Sequence, residues 1–132
     1  MQKVLLVEDD IMLSDLYREM LLTHEYDVVQ VQDGSSAIQA VKEIHPDLIL
    51  SDVMMPHMDG LTLLRTLKAD PSTADIPFIL FTNLNEPHDR EKALHEGAAL
   101  YLFKSEYEPR EIISLIAKVL EEKGGDKKPS KK

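Results

Sequence analysis

The feature that most limits what this chain can fold into is a strict alternation of two apolar periods. Five short runs, Val4-Leu5-Leu6-Val7, Val28-Val29-Gln30-Val31, Leu48-Ile49-Leu50, Ile76 to Phe81 and Ala99 to Phe103, are separated by longer stretches of helical spacing. In those stretches Leu13, Leu16 and Met20 recur at helical intervals, as do Ile38, Val41 and Ile44, then Leu61, Leu64 and Leu67, then Ile112, Ile116 and Val119. Between Pro87 and Gly97 the segment HDREKALHE has two apolar residues, so a helix there is expected to be mostly exposed and weakly held. Helix punctuation agrees with the division: Ser35 suits an N-cap, Pro109 a first turn, and Gly97 and Gly124 left-handed C-caps.

Strands alternating with helices predict an α/β domain: a doubly wound five-stranded parallel sheet with helices on both faces. The first, third and fourth runs are nearly continuous in apolar residues, which suits central strands. Right-handed crossovers leave few compact arrangements for five strands in about 120 residues, and the flavodoxin-like order 2-1-3-4-5 is the common one. In that order the winding reverses between strands 1 and 3, and ligands bind at the carboxyl ends of the strands flanking the reversal.

Charge divides the chain in two. Of 132 residues, 15 are Lys or Arg and 24 are Asp or Glu, a net charge of −9. The segment 123–132, KGGDKKPSKK, carries +4 and is expected to be a disordered basic tail, leaving the domain 1–122 at −13. A surface this acidic repels phosphate backbones, so no direct nucleic-acid contact is expected. The chain has no cysteine, which excludes disulfides and thiolate chemistry. No apolar run approaches the ~20 residues of a membrane span and the start lacks a signal-peptide pattern, so a cytoplasmic location without membrane contact is expected.

The predicted strand ends carry the chemistry. Strand 1 runs into Glu8-Asp9-Asp10, strand 3 into Ser51-Asp52, strand 4 into Phe81-Thr82-Asn83 and strand 5 into Phe103-Lys104-Ser105. Carboxylates without His or Cys favour a hard cation, and few protein ligands with room for water favour Mg²⁺. A carboxylate can attack phosphorus to give an aspartyl phosphate, while a cation and a lysine neutralise the oxygens of the group in transfer. Asp52 stands alone at the reversal and is the expected nucleophile; Glu8 and Asp9 form the pair a cation would bridge. Thr82 would donate to a phosphoryl oxygen. Asp10 and Asp59 read as helix N-terminal charges and His57 as a solvated loop residue.

Four segments in order, K-V-L-L-V-E-D-D, D-L-I-L-S-D-V-M-M-P-H-M-D-G, F-I-L-F-T-N and G-A-A-L-Y-L-F-K-S, resemble the receiver domains of two-component response regulators, the chemotaxis-regulator-like family, over residues 2–122. The resemblance implies Asp52 as phosphoacceptor, Asp9 as a direct Mg²⁺ ligand beside Glu8, and the backbone carbonyl of Met54 as a further ligand. It implies Thr82 and Lys104 as phosphoryl contacts and Tyr101 as a switch aromatic. The partners implied are a sensor histidine kinase or histidine phosphotransfer protein and a target docking on the helix 4, strand 5 and helix 5 face. A monomer or a phosphorylation-dependent dimer is expected.

Four positions depart from the family pattern. The lysine is usually followed by proline in a cis peptide; Ser105 follows it here, and a cis bond before serine costs roughly 3 kcal/mol, which leaves open the geometry that holds Lys104. Asn83 is larger than the small residue usual after the threonine. Met54 and Leu84 are apolar where fast members carry groups that orient the attacking water, which predicts a long-lived phosphoryl group.

Rival readings fit less well. A haloacid-dehalogenase-type phosphatase needs an acid at position 54. A flavin mononucleotide carrier needs a phosphate loop where Glu8-Asp9-Asp10 stands. No Walker or dinucleotide glycine pattern occurs. The alternative that remains is a receiver-like protein-binding module that is not phosphorylated. In either case no metabolic enzyme is expected.

Overall fold

A computed structural model describes residues 1–83 and 87–126. Five strands, β1 (Lys3–Val7), β2 (Asp27–Val31), β3 (Leu48–Asp52), β4 (Phe78–Thr82) and β5 (Leu100–Phe103), alternate with five helices. These are α1 (Ile11–Thr23), α2 (Gly34–Ile44), α3 (Gly60–Ala69), α4 (Pro87–His95) and α5 (Pro109–Asp126), with a 3-10 turn at Lys104–Glu106. All strand pairs are parallel and the order is β2-β1-β3-β4-β5, the doubly wound arrangement expected. The continuously apolar runs occupy the three central strands, as a strand covered on both faces requires.

Alternation along each strand divides the core. Val4, Leu6, Leu48, Leu50, Ile79 and Phe81 face Tyr17 and Leu21 of α1 and Ile112 and Ile116 of α5. Leu5, Val7, Ile49, Phe78, Leu80 and Tyr101 face Val41 of α2, Leu63, Leu64 and Leu67 of α3 and Ala93 of α4. Every one of these is buried, so the period of 2 within each strand places both faces against helices at once. Ala93 of α4 is fully buried, and the helix has a thin apolar content.

Several boundaries differ from the expectation. The N-cap of α2 is Asp33, whose carboxylate accepts from Ser36 N at 2.8 Å; Ser35 lies within the helix. A carboxylate facing free N–H groups also gains from the helix dipole, and Asp33 is held below the usual carboxylate range by the Ser36 hydrogen bonds first. Strand β4 begins at Phe78, because Ile76 closes a turn with its N–H on Thr73 O. Gly97 has φ +108 and ends the α4 connection as expected. Gly124 caps nothing: α5 continues through it to Asp126, so the start of the expected tail is helical, and 127–132 lie outside the described residues. Among the described residues no helix is long and apolar enough to cross a membrane.

Candidate functional site at the carboxyl edge of the sheet

Register brings the sequence-distant residues together. Val7 pairs with Ser51, Asp52 with Phe81, and Thr82 with Phe103. The next residue after each strand therefore emerges on one edge: Glu8 beside Asp52, and Lys104 just beyond Thr82. Glu8 N–H donates to Val31 O at 3.1 Å, which extends the β1–β2 ladder by one residue and fixes the start of the acidic loop.

Glu8 and Asp52 are 1% and 7% exposed, whereas Asp9 is open to solvent. One carboxylate oxygen from each of the three lies within 4.8 Å of the others. Lys104 Nζ donates to Glu8 Oε1 at 2.9 Å and to Asp52 Oδ2 at 3.1 Å. Backbone N–H groups take the remaining oxygens: Asp10 N donates to Glu8 Oε2 at 3.0 Å and Met54 N to Asp52 Oδ1 at 3.2 Å. Burial raises the Glu8 carboxyl above its ordinary value; the Lys104 and Asp10 hydrogen bonds oppose this, and the Asp52 charge adds to the rise. The Lys104–Ser105 peptide is trans, and the lysine reaches both carboxylates from that backbone.

Thr82 is buried at the end of β4, and Tyr101 is buried in β5 with its ring edge-on to Phe103 at 5.7 Å. Tyr101 is thus a core residue of β5. Met54 is 57% exposed at the rim and Asn83 is exposed, while Leu84 lies outside the described residues. A cavity of about 570 Å³, lined by Asp9, Val53, Met54, Met55, Asp59 and Leu61 among others, opens beside the acidic cluster. Asp10 and Asp59 cap α1 and α3 by accepting from Leu13 N at 3.2 Å and Thr62 N at 2.8 Å. His57 is exposed in the β3–α3 loop, with φ +70.

Two supports were not apparent from the sequence. A Cβ on Gly60 would stand against the Asp52 carbonyl oxygen and 2.8 Å from Leu80 Cδ2, while Gly60 N–H donates to Val53 O at 2.8 Å. The helix α3 thus begins in contact with the end of β3, and only a residue without a side chain allows that approach. The Asp59-Gly60 pair was its only sequence signal. Phe81, which reads as one more apolar residue of its run, lies with its ring centroid 4.6 Å from Lys104 Nζ.

A sequence profile of the response regulator receiver domain matches residues 4–117, and the chain belongs to that family. It is 35% identical over 119 residues to RpaA of Synechocystis sp., described as a DNA-binding dual master transcriptional regulator, covering 90% of this chain and 48% of RpaA. The chain spans about half the length of the curated relatives it matches first. Among solved structures, the signal receiver domain of a histidine kinase from Syntrophus aciditrophicus superposes with a TM-score of 0.86 at 32% identity, covering 100% of this chain and 98% of that one. A CheY-like receiver domain protein from Methanospirillum hungatei gives 0.89 at 22% identity over 96% and 98%, a likeness of fold. The chain is a receiver domain of two-component signalling with an acidic pocket at its switch point. Relatives described as DNA-binding lend no support to the expectation of no nucleic-acid contact.

Proposed function

We propose that Asp52 accepts a phosphoryl group from a histidine kinase or histidine phosphotransfer protein, and that the resulting aspartyl phosphate shifts the α4–β5–α5 face between two states. The observation that carries this reading is the single ammonium of Lys104 shared by Glu8 and Asp52. Such a bridge compensates two buried carboxylates before the reaction, and afterwards supplies a donor for the group that Asp52 gains.

The donor set of Glu8, Asp9 and Asp52, all carboxylate oxygen with one member solvent-exposed, fits Mg²⁺; the Met54 carbonyl is a fourth candidate ligand. Bound there, Mg²⁺ supplies positive charge against the equatorial phosphoryl oxygens. In the transfer, an Asp52 oxygen forms a bond to phosphorus as the phosphorus–nitrogen bond to the donor histidine breaks and its electron pair returns to the imidazole. Lys104 moves one hydrogen bond from Asp52 to a phosphoryl oxygen, and the Thr82 hydroxyl donates to another. Withdrawal of Thr82 toward the phosphoryl group leaves space that the neighbouring strand's Tyr101 can fill, which biases the face beyond it.

A groove of about 560 Å³ on that face, lined by Arg90, Leu94, Leu100, Phe103, Glu106 and Tyr107 among others, supports docking of a target protein there. The test is incubation with Mg²⁺ and acetyl phosphate, read by intact mass. A phosphate-sized gain that is lost in Asp52→Asn is expected. No gain by folded, Mg²⁺-bound protein would instead indicate a binding module that works without phosphorylation.

A further inference from the structure

Phe81 joins the core to the site. It is fully buried on the central strand β4, opposite Asp52 of β3 and Leu102 of β5. Tyr17 of α1 meets its ring edge-on, with centroids 5.2 Å apart and planes at 85°. The Lys104 ammonium stands 4.6 Å from the same ring's centroid. Tyr17, Phe81 and Lys104 therefore form a column that runs from the α1 side of the core to the carboxylates.

A lysine side chain is a flexible four-carbon stem ending in three N–H donors, so its position is set by what surrounds the nitrogen. Glu8 and Asp52 occupy two directions. The Phe81 ring lies in a further one, where its negative face complements the ammonium in a setting largely closed to water. The next residue, Ser105, is exposed in the 3-10 turn.

We propose that Phe81 is a positioning residue for phosphorylation: its ring face holds the Lys104 ammonium in place while that ammonium changes partner from an Asp52 oxygen to a phosphoryl oxygen. The inference rests on Asp52 being the phosphoacceptor. It adds no covalent step; what the ring supplies is a neighbour that stays fixed while a carboxylate partner is lost. Without it the ammonium is free to settle toward Glu8, away from the developing charge.

The experiment places phenylalanine, its 4-fluoro and 3,4,5-trifluoro forms and leucine at position 81 of the full chain, and measures the rate of phosphorylation by acetyl phosphate with Mg²⁺. Fluorine drains the ring face of negative potential with little change of shape. The rate is expected to fall stepwise with fluorination, reaching on the order of tenfold for Phe81→Leu. The fall should lie in the maximal rate and not in the acetyl phosphate concentration giving half of it. Equal rates across the aromatic series, with a loss in leucine alone, would assign Phe81 to packing and overturn the proposal. Failure of the unsubstituted protein to gain phosphate overturns the phosphoacceptor reading instead. Hydrogen exchange of the Lys104 ammonium, followed by ¹⁵N NMR without any phosphodonor, tests the contact itself: it should quicken along the same series, and an unchanged rate would reject ring-held positioning.

Discussion

Lys104 Nζ lies 2.9 Å from Glu8 Oε1 although 96 residues separate the two, with the side chains 11% and 1% exposed. The same nitrogen reaches Asp52, so one cation ties together the ends of β1, β3 and β5. Net attraction to the lysine does not remove the cost of burying Glu8, whose carboxyl stays above its ordinary range.

Glu8→Gln should therefore stabilise the fold while impairing function. The amide keeps the shape and can still accept from Asp10 N–H, and Lys104 keeps Asp52 as partner. The urea midpoint is expected to rise, by about 1 kcal/mol of stability, and phosphorylation by acetyl phosphate to slow by about tenfold or more. A lower midpoint would show that the Glu8–Lys104 pair is a net support of the fold.

Gly60→Ala should destabilise by about 2–3 kcal/mol, since the added methyl meets the Asp52 carbonyl oxygen and the fully buried Leu80. Equilibrium unfolding in urea measures the loss. Among single-methyl additions this one is expected to disturb phosphorylation as well, because the backbone it displaces is that of Asp52.

Alkaline stability should depend on Tyr17. Burial first, and the Glu8 charge second, push its phenol up from 10.0 to about 12. A raised value means the folded state keeps its proton longer than the unfolded chain. The contribution is thus full below pH 10 and is lost as pH rises from 10 through 12, on the order of 2–3 kcal/mol. Tyr17→Phe should flatten the decline in urea midpoint over that window. Tyr26, raised by burial, acts in the same direction in both proteins and does not affect the comparison.

The phosphoryl group should be long-lived. Met54 is largely exposed beside Asp52, to which its N–H donates, and an apolar side chain there cannot orient an attacking water. Met54→Asn with Leu84→Glu is expected to shorten the lifetime about tenfold, followed as decay of the phosphorylated mass. An unchanged lifetime would remove side-chain control at these two positions.

Much of this architecture is legible in the sequence because it is local. The apolar content of 4–7, 48–50 and 76–81 marks central strands, since burial on both faces leaves no position for a polar residue. Glu8, Asp9, Asp52, Thr82 and Lys104 are legible as a group because each lies within two residues of the end of an apolar run, and parallel strands deliver their carboxyl ends to one edge. Where the reading erred, competing local chemistry decided. Asp33 outdid Ser35 as a cap because its carboxylate carries charge to the helix dipole, and the helix period of α5 carried through Gly124.

Periodicity and strand-end residues by themselves determined the alternation of strands and helices and the set of charged groups at the strand ends, and narrowed the strand order to the few arrangements of which 2-1-3-4-5 is the common one. Tertiary structure alone decided which of those groups touch. That Lys104 bridges Glu8 and Asp52, that α3 begins against the Asp52 carbonyl at Gly60, and that Phe81 turns its ring to the ammonium all depend on distances between elements. The physical reason is that periodicity reports which face a side chain takes, whereas an ion pair or a ring contact depends on ångström-scale separations set by how the strands pack and twist.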